Sequence, residues 1–156
     1  MQHAAPHPAL GRLEVLVGEW ELQASVGGQP IPGRGRTVFA WLEGGAFLMQ
    51  HADVESEVAP AEWVASSPFP VTTIIGLDDS TEQFCMLWAD ARGVFRVYQM
   101  SLRDGVWRLW RDAPGFFQRF TATIGGDGKI IRGRWEKSGD GSSWEPDLDM
   151  TYSKVT

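Results

Sequence analysis

The chain is short of the residues that build covalent or metal frameworks, with one cysteine and three histidines in 156 residues. A single cysteine excludes an internal disulfide scaffold. Cys85 sits in QFCMLW with no histidine nearby in sequence to draw out a thiolate, so a packed thiol is expected. Two of the histidines, His3 and His7, belong to the N-terminus, which leaves His51 in AFLMQHADVE. Together with Asp53 on the same strand face it supplies at most two ligands where a metal centre generally wants several, so no metal site is expected.

Long apolar runs are also missing. No stretch approaches the roughly 20 residues that cross a bilayer, and MQHAAPHPALGR lacks the basic-then-apolar design of a secretory signal. The expected location is the cytoplasm, with no membrane partner. Basic residues are outnumbered 14 to 20, giving a formal net charge of -6. With no broad basic arm to offset that charge, nucleic acid is not expected as a partner.

Catalytic signatures are absent as well. No serine lies in a GxSxG elbow, and GGQPIPGRGR lacks the spacing and strand-turn-helix context of a dinucleotide site. GRGR at 33–36 is too short a basic patch for RNA. Glu43 and Asp90 are carboxylates beside turns, but glycosidase chemistry requires a facing pair at a set separation, which sequence does not display. Whether the chain is an enzyme is left open, with a non-catalytic role the favoured reading.

What is abundant is tryptophan and glycine, eight and 18 residues respectively. From Trp20 the residues Trp20, Leu22, Ala24 and Val26 alternate with Glu21, Gln23 and Ser25, a period of two that marks a strand. Nine further segments follow: GRTVFAW, AFLMQHADVE, VTTIIGL, EQFCMLWA, VFRVYQM, VWRLWR, FFQRFTATI, KIIRGRWEK and WEPDLDMTYSKV. Turn chemistry separates them, as in EGG, DDST, DARG, RDG, GGDG and SGDG. Turns this short force antiparallel neighbours, and no gap between Val71 and Trp144 leaves room for helical crossovers. The reading is an all-β, antiparallel up-and-down barrel of about ten strands, preceded by a short helix in ALGRLEVLVGEW. Residues 9–155 form the barrel domain and residues 1–8 a flexible N-terminus. The irregular stretch ESEVAPAEWVASSPFP, with Trp63, reads as a loop over the barrel mouth or as a packed connection.

A barrel of this size either holds a small ligand or fills itself with side chains. Arg96, Arg108, Arg119, Arg132 and Arg134 recur among aromatics inside strands. Any of them that faces inward needs a carboxylate or a bound anion, and Asp147 and Asp149 on the last strand could serve. The expected ligand wall is Trp20, Trp88, Trp107, Trp110 and Trp135, with Arg96, Arg108 and Arg134 as its polar members. The ligand would be a small hydrophobic or amphipathic molecule. Two other readings stay open: a filled barrel acting as a homodimer or protein-interaction module, and an enzyme on a small hydrophobic substrate using His51 and Asp53.

The series LEVLVGEW, FAWLEGGAFLMQ, IIGLDDSTEQF, SLRDGVWRLWRD, FFQRFTATI and RGRWEKSGDGSSWEPDLDMTY resembles the bacterial DUF1579-type proteins of uncharacterised function, over roughly residues 9–155. It is similar more broadly to the calycin-like barrels that include lipocalins and fatty-acid-binding proteins. That resemblance implies a ten-stranded barrel with a leading helix and an internal cavity, its Gly18–Trp20 motif closing one end. The nitrobindin-like haem proteins of this group carry a proximal histidine on a late strand. WEPDLDMTYSKV has none, so no cofactor is expected.

Overall fold

The computed structural model describes residues 5–54 and 67–155; Trp63 lies outside them. A 3-10 helix, Pro8–Leu16, leads into eleven strands: β1 (Gly18–Val26), β2 (Gln29–Pro30), β3 (Gly35–Leu42), β4 (Phe47–Val54), β5 (Val71–Asp78), β6 (Gln83–Asp90), β7 (Phe95–Arg103), β8 (Val106–Arg111), β9 (Phe117–Ile124), β10 (Ile130–Ser138) and β11 (Glu145–Lys154). Apart from the two-residue β2, they follow one another around the sheet in chain order, and β11 pairs back onto β1. The ten long strands thus close an antiparallel barrel, and closure removes the unpaired edges that an open sheet would present. The expected architecture is the observed one.

Local chemistry explains the meander. Asp104 and Gly105 both adopt positive φ, 53° and 74°, between the paired Arg103 and Val106. Two such residues make the tight turn whose twist matches the strands it joins. At the start, the His7 Nδ1 accepts from the Ala9 amide and Pro8 opens the 3-10 helix. His7 is thus a helix cap rather than part of a loose tail. Its Nε2 also lies 3.1 Å from a Glu82 carboxylate oxygen.

The helix closes one end of the barrel. Leu10, Leu13 and Leu16 are buried and join the core, and the Trp20 indole N–H donates to the Leu16 carbonyl at 2.8 Å. Arg12 lies over the Phe84 ring, and Trp41 donates to Glu14, tying the helix to β6 and β3. Because successive strands alternate in direction, the β6–β7, β8–β9 and β10–β11 turns gather at the opposite end, the mouth.

The interior is filled near the helix. Trp107 packs against Phe39, Phe120 and Tyr152, with ring centroids 6.1, 5.1 and 5.9 Å apart. Met86, Met100, Leu109 and Ile131 complete this region, all buried. Two surface clefts, of about 480 and 400 Å³, lie outside the barrel: one beside Arg12, Glu82 and Arg103, the other on the outer wall around Arg108 and Trp110.

Candidate functional site

Polar residues on the inner wall concentrate away from the helix. Phe39, Gln50, Thr73 and Trp88 lie side by side across four strands, and Arg96 is the next neighbour of Trp88 on β7. Gln50 donates to Thr37 Oγ1 at 3.1 Å and accepts from Thr73 at 3.0 Å, all three residues being buried. That network satisfies the groups whose burial would otherwise be costly. Farther along the wall, over β8, Tyr98 donates to Gln118 Oε1 at 2.8 Å, and Arg96 Nη1 reaches the same oxygen at 3.4 Å.

Three aromatic rings line this end. Trp88, Tyr98 and Trp135 meet edge-to-face, with centroid separations of 6.1, 6.2 and 5.5 Å. Trp88 and Trp135 are only partly buried, so their rings are available to a molecule seated at the mouth. Trp135 takes an inner position by regular alternation from the buried Ile131, beside Phe120 on β9, and the β10–β11 pairing becomes irregular just beyond it: Trp135 faces Leu148 while Glu136 faces Pro146, leaving Asp147 on β11 as the additional residue.

Arg92, Arg96 and Arg111 stand at this rim, whose turns also carry Asp90, Asp112, Asp140 and Glu145. Asp90, its side chain fully covered, accepts from the Trp88 indole at 2.9 Å and from Arg92 Nη2 at 2.7 Å. Burial alone would raise this carboxyl, but the hydrogen bonds from Arg92 and Trp88 and the guanidinium charge outweigh it and bring it down to about 2. Arg96 lies over the Phe116 ring, 5.2 Å from its centroid, and Arg111 donates to the Phe116 carbonyl. Among the described residues neither Arg96 nor Arg111 forms an ion pair. Burial raises the Tyr98 hydroxyl, opposed by the hydrogen bond and charge of Arg96 and by the charges of Arg111 and Arg92. The phenol stays a neutral donor.

Of the eight sequence-predicted site residues, the structure brings Trp88, Arg96 and Trp135 together at the mouth. Trp20 and Trp107 also face inward, but in the filled half. The expectation is corrected for the other three. Arg108 and Trp110 face outward, because Trp107 and Leu109 take the inner positions of VWRLWR and a strand alternates sides. Arg134 faces outward too, held by Asp149 through contacts of 2.7 and 3.3 Å. His51 is exposed on the outer wall and bonds Thr72 at 3.1 Å, while Asp53 accepts from the neighbouring Val54 amide. Neither faces the interior, which removes the acid-base pair that the enzyme reading needed. Cys85 is only partly buried, with its thiol pushed up by burial and, less, by Asp78. Arg92, Arg111, Tyr98 and Gln118 were not singled out from the sequence. Tyr98 was the most legible of them, sharing a strand face with Arg96.

Against known proteins, no family model matches the chain and no curated protein does. Among solved structures it is similar to the crystal structure of Rv2717c from M. tuberculosis, with 16% identity and a TM-score of 0.60 over 97% of this chain and 100% of that one. The likeness shows a shared barrel fold. Among the described residues no group of three metal-binding side chains occurs, and no helix is long and apolar enough to cross a membrane.

Proposed function

We propose that this barrel binds a small, partly apolar anion at its mouth and carries out no chemistry on it. The observation that carries the reading is Arg96: an inward guanidinium beside the partly buried Trp88 ring, without a carboxylate partner among the described residues. A guanidinium so placed favours an anionic group, and the tryptophan edges and faces offer apolar contact to the rest of the ligand. Because the barrel is filled near the helix, the ligand sits at the mouth rather than deep inside. The resemblance of its motif series to DUF1579-type proteins supports reading the chain as a bacterial, lipocalin-like member of that group, and the lack of a signal-like N-terminal stretch supports a cytoplasmic location.

The test uses two naphthalene probes of equal size, one with a sulfonate and one with a neutral amide. The sulfonate is expected to quench tryptophan emission at lower concentration, and Arg96→Met to weaken it selectively by about 1 to 3 kcal/mol. Equal affinities for both probes, unchanged in the variant, overturn the reading.

A second reading has its own observation. Ala40, Met49, Ile74, Leu87 and Val97 form one continuous row across the outer wall of β3–β7. Leu87 and Val97 are 40% and 44% exposed, and Phe95 beside them 65%. Such a face suits a second copy of the chain. Sedimentation of the wild type against Phe95→Asp tests it: a dimer that the substitution splits supports self-association, and a monomer in both samples rejects it.

A further inference from the structure

The outer wall on β8, β9 and β10 carries a charge pattern unlike the rest of this acidic chain. Strand pairing sets Trp110, Arg119 and Glu136 in one row, Arg108, Thr121 and Arg134 in the next, and Thr123 and Arg132 in the third. Outward residues on one strand recur every second position, so the rows are about 7 Å apart. Each row holds at least one arginine. Arg108 and Arg132 are exposed and form no ion pair among the described residues. Thr121 and Thr123, also exposed, place hydroxyls between them.

Aromatic rings stand at one end of this track. Arg119 lies 4.0 Å from the Trp144 ring centroid while its other contacts go to Glu136 at 2.9 and 3.3 Å. Beside it a cleft of about 400 Å³ opens between Arg108, Trp110, Thr121 and Glu136. That is room for one planar ring against Trp110, with the arginine-threonine track leading away from it.

From this juxtaposition we propose that the outer wall of β8–β10 is a binding surface for single-stranded nucleic acid: one base seats in the Trp110 cleft, and the following phosphates run along Arg108, Arg134 and Arg132. Stacking on an aromatic side chain together with a basic track is the physical basis of sequence-tolerant single-strand binding. The net charge of -6 describes the whole molecule; association responds to the local field, which here is set by four arginines against two carboxylates. An acidic peptide would satisfy the arginines but has no use for the tryptophan cleft. This site lies on the outer wall, apart from the mouth, and does not rest on the function proposed above.

The test is fluorescence anisotropy with a labelled oligothymidylate of about 12 nucleotides at low and rising salt. Binding is expected to weaken with salt, and the slope to fall by about 0.7 for each arginine replaced in Arg108→Gln and Arg132→Gln. Trp110→Leu is expected to lower affinity several-fold without changing that slope, because it removes stacking and no charge. Arg36→Gln, on β3 at another part of the wall, leaves binding unchanged. Failure of the oligonucleotide to bind at low salt overturns the proposal, as does equal loss with Arg36→Gln. Equally tight binding of an abasic oligomer or of polyglutamate rejects the nucleic-acid assignment in favour of a general polyanion surface.

Discussion

The Trp20 indole N–H donates to the Leu16 carbonyl at 2.8 Å, both residues fully buried, so the first strand is fastened to the end of the helix that closes the barrel. Trp107, also buried, has an indole N–H with no partner among the described residues. The two rings are matched in size and differ in this bond. Trp20→Phe strands the Leu16 carbonyl, whereas Trp107→Phe removes an unpaired donor. We expect Trp20→Phe to be the more destabilising by about 1 kcal/mol in urea unfolding, and Trp20→Ala to cost about 3 to 5 kcal/mol. Equal loss in the two phenylalanine variants removes the fastening role.

Gly133 lies on β10 where the Phe120 ring crosses it. A Cβ there would lie 2.5 Å from two Phe120 ring carbons and 2.9 Å from the Ala122 Cβ. Phe120 is itself wedged between Trp107 and Trp135 at centroid distances of 5.1 and 5.0 Å, so it has little freedom to retreat. Gly133→Ala is expected to destabilise by about 1 to 3 kcal/mol through overpacking, read from the urea midpoint. A midpoint unchanged from wild type would mean that the ring moves aside freely.

The barrel was legible because its signals are local: period-two segments separated by turns too short for any crossover. RDG at 103–105 announced the tight turn that is found. Facing was harder to read wherever both sides of a strand are apolar. In VWRLWR a tryptophan occupies each parity, and only packing against Phe39 and Phe120 puts Trp107 inside and Trp110 outside. The carboxylate partner foreseen for an arginine is real in Arg134–Asp149, but the pair sits on the outer wall. Gln118 gave no sequence signal, since its role arises from β9 lying two strands along the wall from Tyr98, 20 residues away in the chain.

Asp90 links the rim to the aromatic mouth and gives it an acid sensitivity. Its folded-state pKa, about 2, is below the ordinary value of 3.8, so the folded protein favours the ionised form. The corresponding stability is present above about pH 4 and is lost as pH falls toward 2. Asp90→Asn should melt below the wild type at neutral pH, with the gap narrowing across that window. A gap constant between pH 5 and pH 2 would show that the carboxylate charge contributes nothing.

Alkaline pH reports on the interior in the opposite sense. The chain has only two tyrosines, and both hydroxyls are pushed up, Tyr98 by burial against the pull of nearby arginines and Tyr152 by burial alone. Raised pKa values mean that the folded state keeps these protons longer than the unfolded chain does. The contribution is complete below the ordinary tyrosine value of 10 and declines as pH rises past it, since unfolding then releases protons. Difference absorbance near 295 nm should therefore show less tyrosinate in the native protein at pH 10 than in an unfolded control in guanidinium, which is about half ionised there. Ionisation of Tyr152, raised by burial with no opposing charge, should appear together with loss of the near-ultraviolet circular dichroism. In Tyr98→Phe the amplitude should halve while the remaining step stays tied to unfolding. A native-state step near pH 10 in the wild type that disappears in this variant would place the Tyr98 hydroxyl in water, and the closed hydrogen bond to Gln118 at the mouth would have to be abandoned.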